Sequence, residues 1–144
     1  MKAFTDIEQS KRIAKILPLE SADMWWLYIT AQGKHIATMY EEPDPHYLAR
    51  MESYGIKNAA IPCWSLASLI NVLPADWWGY NEHYFLEISK MGDASKPNKV
   101  CYYRFRKEID GANYDRIPHI SHSAENLIDA CVNMIITLHE HKLI

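Results

Sequence analysis

A wide apolar stripe near the end of the chain constrains its fold more than any other feature. From about residue 123 to residue 143, apolar side chains recur at steps of three and four, which predicts one long helix. The stripe is wider than the apolar face of a helix that is half exposed to water. Its members are Leu127, Ile128, Cys131, Val132, Met134, Ile135, Ile136 and Leu138. Because so wide a surface has to be covered, we expect the aromatic strands upstream to pack against it.

The rest of the chain alternates between short helices and hairpins. Thr5 with Glu8 fits a capping box that opens the first helix, and Asp44 before Pro45 fits the start of a short one. The helices before the last one are predicted over about residues 5–17, 45–54 and 63–73. The strands are predicted, as two hairpins, over residues 24–30, 35–40, 83–90 and 100–107. Residues 108–122 are polar and are predicted to be irregular.

These elements predict an α+β fold in a single domain over residues 1–144. A chain of 144 residues can bury roughly two-thirds of its unfolded surface in one core. The element order is α-β-β-α-α-β-β-α, with a short second helix. We expect the two hairpins to combine into one antiparallel sheet of four strands, with the terminal helices packed on one face. The predicted core residues are Leu27, Ile29, Leu69, Leu86, Ile88, Tyr103, Phe105, Leu127, Cys131 and Ile135.

Charge and cysteine content limit the compartment and the partners. The formal net charge is −3 without a block of basic residues, so no phosphate-binding surface is indicated. Cys63, Cys101 and Cys131 are odd in number, far apart and set among apolar residues, which indicates reduced core cysteines. Charged residues interrupt the start of the chain, and no apolar run reaches the roughly 20 residues of a membrane span. We therefore expect a cytoplasmic protein with no membrane partner.

Two pairs of histidines are the candidate metal ligands. His119 and His122 would need a carboxylate such as Asp115 or Glu125 to complete a site. The second pair, at positions 139 and 141, points about 200° apart on a helix and cannot chelate together. Solvated histidines in a loop and at a helix end are the simpler interpretation, so we predict no metal.

The sequence also offers little for catalysis. Cys63 lies just before a predicted helix, where the helix dipole would lower its pKa, but Pro62 and Trp64 beside it indicate a packed turn. No phosphate-binding loop, dinucleotide glycine pattern, nucleophile elbow or HExxH motif is present. We therefore predict no catalytic residue and no cofactor, and a protein that is not an enzyme. The alternative is an enzyme whose active site assembles from distant residues.

Four phrases of the sequence resemble, as a group, a family of short uncharacterised proteins of anaerobic gut bacteria and their phages and mobile elements. The phrases are KAFTDIEQS at residues 2–10, ILPLESADM at 16–24, PCWSLA at 62–67 and IDACVNMI at 128–135. They touch both ends and the middle of the chain but leave residues 40–61 uncovered. The resemblance brings no assigned activity. It implies a small intracellular protein carried by a mobile element.

The functional prediction concerns the sheet face turned away from the helices. Alternation along the strands over residues 83–90 and 100–107 divides their side chains between two faces. The first strand adds either Trp26 with Tyr28 or Trp25 with Leu27. The predicted interface residues are Trp26, Tyr28, Phe85, Glu87, Tyr102, Arg104 and Arg106. Because tyrosine, tryptophan and arginine together are typical of a protein-binding centre, we expect a homodimer or a protein partner.

Two other interpretations use the same residues. A cross-strand pair between Glu87 and Arg104 or Arg106 would make the face merely structural. An aromatic and basic sheet face is also typical of single-stranded nucleic-acid binding, which the acidic net charge disfavours. Binding that falls steeply with salt would indicate nucleic acid rather than protein.

Overall fold

The chain combines helices with antiparallel sheets, so the predicted α+β class is confirmed. The computed structural model describes residues 2–39, 42–79, 82–90, 97–107 and 114–144, with only the backbone of residues 106, 107 and 114–116. These residues cluster into two compact units, Lys2–Leu69 and Ile70–Ile144. The expectation of a single domain stays a prediction.

The first unit is built on a three-stranded sheet. Its elements are α1 (Ile7–Ile13), a 3-10 turn (Leu19–Ser21), β1 (Met24–Ile29), β2 (Lys34–Thr38), α2 (Pro45–Ser53) and β3 (Ala60–Cys63). The strands are antiparallel in the order β2-β1-β3, and α1 packs against β3. The β1–β2 hairpin is the one that the sequence predicts.

Two helix starts test the capping patterns in the sequence. Asp44 caps α2 as predicted, and its carboxylate accepts a hydrogen bond from the backbone N–H two residues on, at 2.8 Å. The capping box of α1 lies one residue later than predicted, because Asp6 rather than Thr5 is the N-cap and Gln9 rather than Glu8 completes the box. Thr5 is fully buried instead. Neighbouring threonine and aspartate both suit a cap, and here burial decides between them.

The second unit is built on a four-stranded meander. After α3 (Leu66–Val72), which begins before the boundary between the units, the elements are β4 (Asp76–Gly79), β5 (Glu82–Ser89), β6 (Asn98–Lys107), β7 (Tyr114–Ala124) and α4 (Leu127–Glu140). The strands are antiparallel in the order β4-β5-β6-β7. α4 packs against β6 and β7, so the apolar stripe is covered by strands, as predicted.

The sheet detail differs from the prediction of one four-stranded sheet. The two predicted hairpins, β1–β2 and β5–β6, lie in different sheets, and each terminal helix packs on its own sheet. The reason is that strands absent from the prediction pair with these hairpins: β3 pairs with β1, β4 with β5, and β7 with β6. β3 contains Pro62, and β7 is rich in histidine and serine and contains Pro118. Such residues carry little strand propensity of their own, and pairing with a neighbouring strand overrides it.

The core of the second unit lies under α4. The buried residues of this helix are Ile128, Ala130, Cys131, Val132, Met134, Ile135 and Leu138. Of the predicted core, Leu69, Cys131 and Ile135 are buried, whereas Phe105 is 39% exposed. The other predicted members, Leu27, Ile29, Leu86, Ile88, Tyr103 and Leu127, are half-buried. Within the described part of the chain, no helix has the length and apolar content needed to cross a membrane.

Candidate interaction face

The register between β5 and β6 divides the four-stranded sheet into two faces. Leu86 pairs with Tyr102, and Phe85 pairs with Tyr103. Residues directly opposite each other in an antiparallel pair point to the same face. The covered face therefore carries Tyr84, Leu86, Ile88, Val100, Tyr102 and Arg104. The opposite face carries His83, Phe85, Glu87, Lys99, Cys101, Tyr103 and Phe105.

This register corrects the predicted faces of β6 by one residue. Tyr102 and Arg104 were expected beside Phe85 and Glu87, but they lie on the other side of the sheet. Both strands carry apolar side chains at odd and at even positions, so alternation alone leaves their relative register open. A one-residue slip moves every side chain of a strand to the opposite face.

The predicted interface residues are consequently dispersed. Trp26 and Tyr28 lie on β1 in the first unit, where the Trp26 indole N–H donates to the backbone oxygen of Thr5 at 3.1 Å. Of Arg106 only the backbone is described, and it pairs with Asp115 on β7. Within the described part of the second unit, Phe85 and Glu87 share one face of the sheet, and Tyr102 and Arg104 share the other.

Tyr102 and Arg104 lie on the covered face and make contacts within the chain. Tyr102 is fully buried, and its hydroxyl donates to the backbone oxygen of Pro74 at 2.7 Å. Burial raises the pKa of this phenol, with a smaller contribution from Cys131 on α4. The Arg104 guanidinium donates to a carboxylate oxygen of Glu82 at 3.0 Å. These contacts make both residues part of the packed structure.

Glu82 makes the other polar contacts beside this pair. Its second carboxylate oxygen accepts a hydrogen bond from the Tyr84 hydroxyl at 2.6 Å. That bond, helped by Arg104, holds the pKa of Glu82 below its usual range. The same bond raises the pKa of Tyr84, although Arg104 acts to lower it. The His119 ring lies 4.6 Å from the Tyr84 ring. An ionised carboxylate that already accepts hydrogen bonds from a tyrosine and an arginine is a poor general base.

The opposite face carries a continuous row of aromatic rings. Trp78, which pairs with His83 across β4 and β5, stacks on the His83 ring with centroids 3.9 Å apart. The His83 ring lies 3.8 Å from that of Phe85, and Phe85 meets Phe105 edge to face at 5.0 Å. Trp78 is 74% exposed. We call this surface, made of Trp78, His83, Phe85, Tyr103 and Phe105, the aromatic face.

The aromatic face has charged groups of both signs at its margins. Asp76 lies 2.7 Å from the His83 ring nitrogen. Lys99 donates to the Tyr103 hydroxyl at 3.2 Å, and its ammonium group lies 5.5 Å from the centre of the same ring. The hydrogen bond with Tyr103 raises the pKa of Lys99. Glu87 accepts a hydrogen bond from the Ser89 hydroxyl at 3.2 Å.

The candidate ligands and nucleophiles of the sequence lie elsewhere. His122 points at α4, where its ring nitrogen is 2.7 Å from the Thr137 hydroxyl, and burial lowers its pKa. Burial raises the pKa of Cys63, and raises that of Cys131 to about 12, so neither thiol forms a thiolate near neutral pH. Among the described residues, no group of three or more histidine, cysteine, aspartate or glutamate side chains could hold a metal ion.

Comparison with known proteins supplies no relative from which a role could be transferred. No family model, curated protein or solved structure matches the chain. The resemblance to proteins of gut bacteria and their mobile elements therefore stays a prediction.

Proposed function

We propose that this chain acts through protein–protein interaction, and that a second copy of the chain occupies the aromatic face. The observation that carries the proposal is the row of rings ending in Trp78, an indole that is 74% exposed. Large aromatic side chains are the residues that most often dominate binding energy at protein interfaces. A surface that keeps such a ring in water is better explained by a partner than by the stability of the single chain.

The rings of this face are held in place before any partner arrives. His83 lies between Trp78 and Phe85, and Phe85 lies between His83 and Phe105. Because each ring restricts its neighbour, little side-chain entropy remains to be lost on binding. Preorganised rings therefore give more affinity per unit of buried area than flexible side chains do.

Size and charge favour a second copy as the occupant. The eight residues of β5 and the width of four strands give this face an upper limit of roughly 26 by 19 Å, or ~500 Å² per copy. Two copies would bury ~1,000 Å², which is at the lower limit for a specific interface. Asp76 and Lys99 give the face opposite charges, so two identical faces do not repel each other uniformly. Two sheets packed face to face are a common antiparallel arrangement.

Single-stranded nucleic acid is the competing occupant, because bases stack on exposed rings. A strand of phosphates also needs a line of positive charge. Asp76 and Glu87 oppose Lys99 on this face, and the register adds Lys107 and Arg116 only near its other end, so positive charge does not form a line along the strands. The net charge of −3 acts in the same direction.

Sedimentation equilibrium tests the proposal. We expect the wild type to dissociate reversibly from dimer to monomer at micromolar concentrations, as its small interface implies. Trp78→Ala with Phe105→Ser should weaken the dimer by about tenfold or more. Tyr54→Ala is the matched control, because Tyr54 is an aromatic residue that is 64% exposed outside this face.

A wild type that stays monomeric throughout, or a control variant that weakens the dimer equally, would overturn the proposal. A labelled single-stranded oligonucleotide provides the second arm. If the oligonucleotide binds, and its affinity falls steeply with added salt, the aromatic face is a nucleic-acid-binding surface instead.

A further inference from the structure

The row of rings on the aromatic face includes a histidine that has an aspartate beside it. The side chain of His83 is only 19% exposed, because its ring contacts those of Trp78 and Phe85. Its Nε2 atom lies 2.7 Å from a carboxylate oxygen of Asp76, whose side chain is 52% exposed. Histidine is the side chain whose charge ordinarily changes between pH 5 and pH 8. A partner on this face would therefore bury a titratable pair.

Asp76 is the charged group closest to the His83 ring. Among the described side chains, it is the charged one that contacts the imidazole. The other charged or titratable residues that the register places on this face lie on β5, β6 and β7. They are Glu87, Lys99, Cys101, Tyr103, Lys107, Tyr114 and Arg116. Because the energy between two charges falls with distance, the contact with Asp76 sets the sign of the response to protonation.

Dimer formation across the aromatic face would remove water from this pair. The Asp76 carboxylate then loses part of its hydration, and its charge has to be balanced inside the interface. A neutral His83 can donate a hydrogen bond but leaves the pair with one net negative charge. A protonated His83 makes the pair neutral, and its cationic ring still stacks favourably on the indole of Trp78. Burial in the interface therefore favours the protonated form of the pair.

We propose that the aromatic face is a pH-sensitive interface, in which protonation of His83 beside Asp76 strengthens the dimer. This inference rests on the proposed function, because it concerns the same face and the same occupant. Proton uptake and association are linked, so a dimer that takes up protons more readily than its monomers must tighten as the pH falls. The direction depends on the carboxylate. Without it, the imidazolium would be an unpaired charge in the interface, and protonation would weaken the dimer.

Sedimentation equilibrium of the full chain at pH 8 and at pH 5.5, at constant ionic strength, tests the proposal. We expect the dissociation constant of the wild type to fall by about tenfold at the lower pH, since each dimer contains two copies of the pair. His46→Gln is the control. It removes an exposed histidine on α2, in the unit Lys2–Leu69, and should keep the same pH dependence.

Two substitutions test the separate roles of the histidine and the carboxylate. His83→Gln keeps a hydrogen-bond donor but has no titratable ring, so its dissociation constant should differ by less than about twofold between the two pH values. Asp76→Asn keeps the shape of the side chain without its charge, and its dimer should weaken by about threefold or more as the pH falls. His119 and His122 are present in every variant, so any contribution from them is common to all.

The outcomes distinguish this inference from the function on which it rests. A wild type that is monomeric at both pH values would overturn the proposed function and the pH-sensitive interface together. A dimer with the same dissociation constant at both values would overturn only the pH-sensitive interface. So would a tenfold tightening that survives in His83→Gln, because another group would then be responsible. Tightening of Asp76→Asn to the same extent as the wild type would contradict the role of the carboxylate.

Discussion

Both faces of the four-stranded sheet carry aromatic rings, yet they differ in how far these rings are exposed. On the covered face, Trp77 stacks on Tyr84 at 5.0 Å and lies 4.3 Å from Tyr102, which is completely buried. On the aromatic face, Trp78 stacks on His83 at a shorter distance and yet remains largely in water. Of these adjacent tryptophans on one short strand, Trp77 is half-buried and Trp78 is mostly exposed.

The comparison teaches that aromatic content does not define an interface. On the covered face, Tyr102 is buried on a strand that packs against α4, and its hydroxyl is satisfied within the chain by Pro74. On the aromatic face, Trp78 is 74% and Phe105 39% exposed. Substitutions on the two faces should therefore separate stability from association.

The largest expected effect is on the covered face. Tyr102→Ala removes a fully buried ring and should lower the free energy of unfolding by about 3–5 kcal/mol, measured by urea denaturation. Tyr54→Ala, in an exposed position, should change the same quantity by less than about 0.5 kcal/mol. A loss below about 1 kcal/mol at Tyr102 would mean that this face is not the core of the unit.

Tyr102→Phe isolates the hydroxyl group and should have a smaller effect. It keeps the ring but leaves the backbone oxygen of Pro74 without its hydrogen bond, at a cost of about 1–2 kcal/mol. Urea denaturation again gives the value. A neutral substitution would show that this bond has no net role in the packing.

On the aromatic face, a substitution should lower the free energy of unfolding by less. Trp78→Ala should cost only about 0.5–1.5 kcal/mol, the value of its stacking on His83, because most of the side chain is already in water. To exclude a contribution from association, the unfolding has to be measured below the dissociation constant of the dimer. A loss as large as that of Tyr102→Ala would place Trp78 in the core and contradict the contrast between the faces.

The smallest effect is a pH dependence of the covered face. Burial lowers the pKa of His122 below its usual value of 6.5, so the unfolded chain takes up the proton first as the pH falls. The stability that His122 contributes is complete above pH 6.5 and is lost as the pH falls below that value. The wild type should therefore lose more stability than His122→Gln between pH 7.5 and pH 5, as followed by thermal unfolding. Parallel curves for the two proteins would exclude the effect.

How far the sequence predicts this fold depends on how local each signal is. Some signals involve only residues that are close together in the chain. These are the stripe of α4, the cap at Asp44 and the two hairpins, and the structure contains all of them. β3 and β7 form because a partner strand is beside them, which no local pattern encodes. Without these strands, the sequence predicts that the two hairpins form one sheet, whereas the structure has two.

The candidate site was harder to predict for the same reason. Phe85 and Glu87 were assigned to an open face, but Tyr103 and Phe105 were assigned to the core, because the register of β6 against β5 is not visible in either strand alone. Trp78 and His83 are neighbours because β4, a strand of four residues, pairs with β5.

The most direct test of the account is to observe which residues meet across the dimer. Equal amounts of isotope-labelled and unlabelled chain, mixed at a concentration that favours the dimer, give nuclear Overhauser effects between copies in a filtered NMR experiment. We predict contacts between copies from the indole of Trp78 and the rings of Phe85 and Phe105. Contacts confined to other exposed residues, such as Tyr54 or Leu48, would show that the chain associates elsewhere and that the aromatic face is not its interface.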